Sequence, residues 1–215
     1  MAKKQAFISL KDYEKNLENH PKCSLINPAK SELGKVSKVF LDQINSNLRS
    51  LNHVNQWRNF DAVIEWFNTI DQKSNHTFMS FDIVDFYHSI TEDLLDKAIT
   101  WPSKQTAITD QQIKVIKHAR QSLLFNEEKP WMKKGSTSTF DVTMGSYDGA
   151  RICELVGLFI LERLGETFGH ENIGLYRDDG LAALKNVNGR QADRSRKTLI
   201  EIFNSFGLKI TVQTN

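Results

Sequence analysis

The sequence predicts an α+β protein with an antiparallel sheet and helices packed on one face, and three stretches carry that prediction. "HTFMSFDIVDFYHSI" is dense in β-branched and aromatic residues, as buried strands are. "NIGLYRDDGLAAL" places an Asp-Gly pair between apolar runs, which indicates a β-hairpin. "ARICELVGLFILERL" predicts a buried helix, with these apolar residues on one side: Ile152, Leu155, Val156, Phe159 and Ile160. Strands and helices in this order predict one layered α+β arrangement.

Two amphipathic helices and a strand are expected upstream of these stretches. "QAFISLKD" is typical of a strand. "SELGKVSKVFLDQINSNLRSL" predicts a helix whose buried face consists of Val36, Val39, Phe40 and Ile44. "FDAVIEWFNTI" predicts a second helix that buries Val63, Ile64, Phe67 and Ile70.

Between the strand and the buried helix, the sequence predicts two helices and a polar hairpin. Thr91 is the expected N-cap of "TEDLLDKAI". A longer helix is expected in "TDQQIKVIKHARQSLLF", and a hairpin that turns around Pro130 and Gly135 follows it. After the second hairpin, "RQADRSRKTLIEIFNSFG" predicts a helix and "LKITVQTN" a final strand.

Composition limits the class of protein. The chain has 215 residues, 40% of them hydrophobic, which is enough for one domain with a core or two closely packed subdomains. A net charge of +2 permits a nucleic-acid partner without requiring one. Cys23 and Cys153 lie far apart without other cysteines nearby, so neither a zinc site nor a disulfide framework is indicated. No membrane span is expected, and we expect an intracellular protein of the nucleus or cytoplasm that is not secreted.

Acidic residues interrupt the apolar runs at two places. Asp82 and Asp85 fall in the predicted strand, and Asp178 and Asp179 fall in the predicted hairpin. Buried carboxylates are costly unless they are paired or bind a metal. The alternatives are an edge strand with Asp82 facing water, and an ordinary turn at the adjacent aspartates. If the two stretches adjoin in one sheet, their oxygens suit Mg²⁺, which uses one or two carboxylates together with substrate phosphates.

Three stretches in this order resemble motifs A, B and C of reverse transcriptases: "FDIVDFYHSI", "MGSYDGARICELVG" and "IGLYRDDGLAAL". Upstream, "AFISLKDYEKNLENHPKCSLINPAKSELGKVSK" is similar to the fingers region of enzymes from eukaryotic mobile elements, including the Penelope-like group. The resemblance implies a right-hand polymerase with fingers over 1–77 and palm over 78–215. It also implies a helical and hairpin insertion over about 92–143, the start of motif D, and a missing thumb.

The resemblance assigns metal-binding and catalytic roles to the acidic residues. Asp82 and Asp178 are expected to bind the metal ions, Mg²⁺ or alternatively Mn²⁺, with help from the backbone carbonyl of Ile83. Asp179 is the second carboxylate of the "YRDD" box. Tyr176 is expected to seat the primer.

Further positions are expected to contact the nucleotide. Tyr87 falls where the family places an aromatic ring against the sugar, which leaves no room for a 2′-hydroxyl and argues against an RNA-dependent RNA polymerase. A core tyrosine is the alternative reading. Gly145 and Ser146 match the backbone contact of motif B, or are only a loop and N-cap. Lys209 matches the motif D lysine, or is a solvated side chain; Lys11 is a candidate for the triphosphate.

The sequence departs from the family pattern in the fingers and in motif B. Ser24 stands where an arginine is expected, and Tyr13 and Glu14 stand where a histidine-lysine pair is expected. Four lysines remain in that region: Lys11, Lys15, Lys22 and Lys30. Motif B has Asp148 and Arg151 after its serine, without the usual proline.

The sequence therefore predicts a nucleotidyltransferase, an RNA-directed DNA polymerase that adds deoxynucleotides to a primer 3′-hydroxyl. Its expected partners are an RNA template, a DNA or RNA primer and deoxynucleoside triphosphates. A thumb region of a longer polyprotein, with or without an endonuclease region, is also expected. The alternative is a palm and fingers domain that has lost catalysis and acts as a nucleic-acid-binding or structural module.

Overall fold

A five-stranded sheet lies at the centre of the computed structural model, which describes residues 7–10, 23–26, 31–102, 106–121, 124–126, 129–131 and 138–214. The spatial order of the strands is β3-β7-β8-β4-β9. Their bounds are β3 Asn55–Gln56, β4 His76–Ile83, β7 Ile173–Tyr176, β8 Asp179–Lys185 and β9 Ile210–Thr214. The predicted strand, the hairpin and the final strand are therefore confirmed.

The sheet is antiparallel except at one edge. β4 is an inner strand and pairs antiparallel with β8, from His76 opposite Lys185 to Asp82 opposite Asp179. On its other side β4 pairs antiparallel with β9. The short strand β3 runs parallel to β7. Since β8 and β9 flank β4, the acidic end of β4 is held from both sides.

Alternate residues of β4 face two different apolar clusters, as the two-residue repeat of a strand requires. Met79, Phe81 and Ile83 belong to the main core. Phe78 points the other way, toward a smaller cluster around Trp57 and Trp66. Helix α2 (Phe60–Thr69) supplies Trp66, so it adds cover to the second face while the larger helical layer packs on the first.

The main core is built around helix α6 (Gly149–Phe168), which is buried on nearly every side, including the five residues that the sequence predicted. The helices that accompany it are α1 Glu32–Leu51, α3 Phe86–Ser89, α4 Glu92–Thr100, α5 Asp110–Ala119 and α7 Gly189–Ser205. Thr91 caps α4, as predicted: its hydroxyl accepts a hydrogen bond from the Leu94 N–H at 3.2 Å. Reciprocal capping boxes begin α5 and α7.

The predicted buried face of α1 is wrong at two positions. Val36 and Val39 are 44% and 53% exposed, whereas Ile44 is buried and Phe40 packs partly against the core. The face that is buried carries two polar residues, Ser37 and Asn45, because both have partners on the far side of the interface. Buried apolar residues at helical spacing, Leu41, Ile44 and Leu48, and these two polar residues with their partners together make up the buried face of this helix.

Three smaller predictions are also corrected. Ile64 of α2 is 44% exposed. The helix predicted over 109–125 ends at Ala119, and 124–126 form strand β5 (Leu124–Asn126). That strand pairs antiparallel with β6 (Lys129–Trp131), so Pro130 lies in a strand opposite Phe125 rather than in a turn. Gly135 lies outside the described residues.

In the upstream region, β1 (Phe7–Leu10) and β2 (Cys23–Ile26) form an antiparallel pair, which confirms the predicted strand. Strand β3 precedes the predicted boundary at 77 and nevertheless joins the central sheet; the division at that boundary stays a prediction. Among the helices that the structure describes, none combines the length and apolar character needed to cross a membrane.

Candidate active site

The β7–β8 hairpin brings the adjacent aspartates to the end of the sheet. Tyr176 pairs with Asp179, so Arg177 and Asp178 are the two turn residues. Arg177 adopts the left-handed conformation, with φ 59°. Gly180 lies inside β8 rather than in the turn, where the Asp-Gly pattern placed it. A Cβ atom at Gly180 would overlap the ring of Phe81, so close packing explains this glycine.

The acidic end of β4 meets this hairpin directly. Asp82 lies opposite Asp179 in the ladder, and the Ile83 N–H donates to the Asp178 carbonyl at 2.9 Å. The structure thus brings Asp82, Asp178 and Asp179 to one end of the sheet, all three exposed. Asp85 is placed apart, in a left-handed conformation beyond the end of β4.

The three carboxylates at this end of the sheet repel one another. Burial, followed by repulsion from Asp178 and Asp82, raises the pKa of Asp179. Within the described part of the chain, no group of three His, Cys, Asp or Glu side chains encloses a metal ion. Mg²⁺ retains waters and needs only one or two protein carboxylates beside substrate phosphates, so this open pair of strand ends fits that ion.

A cleft of about 750 Å³ opens beside Asp178. Its lining includes three of the predicted site residues, Tyr87, Tyr176 and Asp178. The other described site residues that the sequence predicted do not line it: Asp82, Ile83, Asp179, Gly145, Ser146 and Lys209. The hairpin turn, α1 and α6 all contribute to the cleft wall.

Tyr87 lies in α3, immediately after β4, and is half-buried beside Cys153 of α6. Burial, with smaller contributions from Cys153 and Asp178, raises the pKa of Tyr87 to about 12. The hydroxyl therefore stays protonated at neutral pH. Burial also raises the pKa of the Cys153 thiol, so neither group adds charge next to Asp178.

Tyr176 is the last residue of β7, and its ring lies next to the cationic side chain of Arg177. The Arg177 guanidinium lies 5.2 Å from the centre of that ring, within the range of a cation–π contact. Tyr176 also packs against the cluster of Trp57 and Trp66, whose rings are 5.0 Å apart. These contacts support the Tyr176 ring where it lines the cleft.

The loop before α6 is tied to a buried ion pair that the sequence did not predict. Gly145 has φ 91°, a conformation that favours glycine. The Ser146 hydroxyl donates to the Thr143 carbonyl at 2.9 Å and accepts from the Gly149 N–H at 3.2 Å. These bonds begin the helix, and Arg120 also donates to Ser146 at 3.3 Å.

Arg120 and Asp148 form that pair, 3% and 0% exposed. Ser37 of α1 donates a 2.7 Å hydrogen bond to the same carboxylate. Burial raises the pKa of the Asp148 carboxyl, and the Arg120 guanidinium opposes that shift. The pair connects the C-terminus of α5, the N-terminus of α6 and the N-terminal part of α1. Its residues lie far apart in the sequence, so the only signal was that Asp148 follows the serine of motif B without the usual proline.

Four arginines line the cleft, and sequence reasoning assigned none of them: Arg49, Arg58, Arg151 and Arg177. Arg49 forms an ion pair with Glu154 and donates to Gln56 at 3.2 Å. Arg151 contacts Asp42 at 2.5 Å and Glu154 at 3.0 Å. Their signal in the sequence was weak, because each comes from a different element and only folding makes them neighbours.

The remaining predicted residues have different outcomes. Lys209 is exposed, and its carbonyl accepts from the Val84 N–H at 2.9 Å, which places the lysine near the end of β4. Lys11, Lys15, Lys22 and Lys30 lie outside the described residues, as do Tyr13 and Glu14. Ser24 lies in β2, opposite Ser9.

Comparison with known proteins gives matches among solved structures only. No protein family and no curated protein matches the sequence. Apo telomerase from Candida tropicalis superposes with a TM-score of 0.59 at 14% identity, over 98% of this chain and 50% of that one. The RNA-dependent RNA polymerase of a human picobirnavirus gives 0.67 at 10% identity, over 98% and 42%. That of BmCPV in its elongation state gives 0.60 at 12% identity, over 98% and 20%.

The chain has a polymerase palm and fingers fold. The predicted fold class is therefore confirmed, and the end of the sheet with the three carboxylates belongs to that fold. The chain spans half or less of the length of these polymerases. At 10–14% identity the likeness establishes the fold alone, and a relation to Penelope-like elements stays a prediction.

Proposed function

We propose that this chain performs template-directed nucleotidyl transfer as an RNA-directed DNA polymerase. One observation carries the proposal: Asp82 stands opposite Asp179, with Asp178 at the adjoining turn, on a polymerase-type sheet. Carboxylates that lie close together repel one another, which is unfavourable for folding, and a bound divalent cation would relieve that repulsion.

Asp82 and Asp178, with the backbone carbonyl of Ile83, are the proposed ligands of Mg²⁺ or Mn²⁺. Bound metal would activate the primer 3′-hydroxyl and neutralise charge on the leaving pyrophosphate. Asp179 lies across the ladder from Asp82, and its negative charge strengthens the local preference for a cation. Tyr176 would support the primer end at the cleft edge.

Tyr87 is the proposed determinant of sugar choice. Its ring is half-buried and lines the cleft next to Asp178, and its protonated hydroxyl brings no charge that would repel a triphosphate. A fixed ring at this point would fill the volume that a 2′-hydroxyl needs, so deoxynucleotides are preferred. RNA is the proposed template, and two of the proteins with a similar fold are RNA-dependent polymerases by name.

Primer extension tests the catalytic proposal. The purified chain, a labelled DNA primer on an RNA template, deoxynucleoside triphosphates and Mg²⁺ should give extended product. Asp178→Asn should lower the rate by at least about 100-fold, because even outer partners of metal ligands are worth 10–100-fold. Asp193→Asn, on the exposed face of α7, is the matched control and should retain activity.

Equal extension by wild type and Asp178→Asn, or none by either, would remove the catalytic proposal. If both still bind the template–primer duplex, the nucleic-acid-binding module is the correct reading.

Sugar selectivity tests Tyr87 separately. Tyr87→Ala should raise ribonucleotide incorporation relative to deoxynucleotide incorporation, whereas Tyr87→Phe, which keeps the ring, should not. Unchanged selectivity in Tyr87→Ala would show that this ring does not contact the sugar.

A further inference from the structure

Two cations at the cleft are free of ion pairs within the described part of the chain. They are Arg58, just after β3, and Arg177, in the β7–β8 turn; both are exposed and both line the cleft. Arg49 and Arg151 in the same cleft are each held by carboxylates. Arg58 and Arg177 thus present guanidinium groups to whatever occupies the cleft.

Strand pairing brings together the two segments that carry these arginines. Asn55 pairs with Gly174 and Gln56 with Leu175 in parallel. The Trp57 N–H donates to the Leu175 carbonyl at 2.9 Å, which extends the contact beyond β3. Arg58 follows Trp57 directly and Arg177 lies two residues beyond Leu175, and both line the same cleft.

One of the two side chains has local support. The Arg177 guanidinium lies 5.2 Å from the centre of the Tyr176 ring, and both residues line the cleft. An arginine held in this way loses less conformational entropy when it binds a phosphate.

A buried group behind them is also incompletely satisfied. Arg49 has a buried Nε without a hydrogen-bond partner among the described residues. Burial, followed by repulsion from Arg58 and Arg151, lowers the pKa of Arg49 to about 10. The arginines that line the cleft repel one another, and a bound anion would reduce that repulsion.

We propose that Arg58 and Arg177 bind phosphates of the nucleic-acid strand that presents its 3′ end to Asp178, namely the primer. The assignment rests on the proposed function for the choice of strand. Arg177 adjoins Asp178 in the turn, and the terminal phosphate of a strand lies within one nucleotide of its 3′-hydroxyl. Guanidinium groups bind phosphate oxygens through two parallel hydrogen bonds.

Salt-dependent binding measures this contact without catalysis. A fluorescein-labelled primer–template duplex is titrated with the full chain in EDTA, without nucleotides, over a range of salt concentrations. Arg58→Gln and Arg177→Gln should each reduce the slope of log K against log[salt] by about 0.9, the value for one released phosphate contact. Arg196→Gln, an exposed arginine paired with Asp193 on α7, is the control and should keep the wild-type slope.

Neutral backbone linkages identify the strand. A methylphosphonate at the last primer linkage should reduce the slope for the wild-type chain by the same amount. It should add nothing to Arg177→Gln, since the two changes remove one contact. The same substitution in the template strand should have no such coupling.

Wild-type slopes in both arginine variants, with circular dichroism that shows them folded, would overturn the proposal. Coupling to the template linkage instead of the primer linkage would also overturn it. Loss of extension in Asp178→Asn together with unchanged slopes in the arginine variants would leave the proposed function in place and remove only this inference. Reduced slopes in the arginine variants of a chain that shows no primer extension would keep the phosphate-binding inference and remove the proposed catalytic function.

Discussion

Asp148 and Asp178 are the same side chain used in opposite ways. Asp148 is fully buried, paired with Arg120 and hydrogen-bonded to Ser37. Asp178 is exposed at the hairpin turn, between Arg177 and Asp179. The first carboxylate is compensated inside the protein, whereas the second is open to solvent. The first holds three helices together, and the second is the one that we propose binds a metal ion.

The largest expected effect is on the buried pair. Asp148→Ala should lower the free energy of unfolding by about 3–5 kcal/mol, because Arg120 would stay buried without its partner. Urea denaturation followed by circular dichroism measures the change.

Replacing both charges sharpens that result. The double variant Arg120→Met/Asp148→Leu should recover most of the lost stability, since it leaves no buried charge. A double variant as unstable as Asp148→Ala would show that packing at the junction of three helices, rather than charge, is what matters there.

The exposed carboxylates should respond to metal instead. Mg²⁺ at 100 times its dissociation constant should stabilise the chain by about 2.7 kcal/mol, and EDTA should reverse the gain. Asp178→Asn should abolish the effect, whereas Asp193→Asn should preserve it. A thermal shift in Asp178→Asn equal to that of the wild type would place the metal elsewhere.

The hairpin that holds these carboxylates should tolerate little change in its packing. Gly180→Ala should cost about 1–3 kcal/mol, because the new methyl group would overlap the Phe81 ring. At Gly189 an added Cβ meets nothing within 4 Å, so Gly189→Ala is the control and should not destabilise. If Gly180→Ala is also neutral, the strand moves and the carboxylates are less rigidly placed than the register indicates.

The smallest effect concerns Asp179 and its pH dependence. The pKa of Asp179 in the folded chain is raised above its ordinary value of 3.8. The contribution of protonated Asp179 to the free energy of unfolding is therefore full below pH 3.8 and is lost as the pH rises through the raised pKa of the folded chain. Asp179→Asn should thus be more stable than the wild type at pH 7, by less than about 1 kcal/mol at this solvent-screened site. The two chains should converge near pH 3; a constant difference would remove the electrostatic explanation.

The sequence predicted the sheet and its acidic end because the deciding signals are local. The dense β-branched and aromatic residues of β4, the apolar runs of the hairpin and the two aspartates between them are each visible within a few residues. The three motifs in order then placed Asp82 against the hairpin. The adjacency of Asp82 and Asp179 needed only the expectation that the two stretches share a sheet.

The prediction of α1 was wrong at Val36 and Val39 because the buried face of this helix includes polar residues. Ser37 is buried with its bond to Asp148, and Asn45 with its bond to the Arg151 carbonyl at 3.0 Å. A pattern of apolar spacing gives no weight to such partners, so it assigned the two valines to the buried face instead. The cleft arginines were missed for a related reason, since Arg58 and Arg177 come to one cleft only through the pairing of β3 with β7.

The hydrogen bond from the Ile83 amide to the Asp178 carbonyl also makes that amide a reporter of the site. Its proton exchanges with solvent only when the end of β4 separates from the turn, which is the same motion that parts Asp82 from Asp178. Hydrogen exchange at this one position therefore measures how often the carboxylate arrangement opens, and a bound ligand at the carboxylates would slow it without any change in structure.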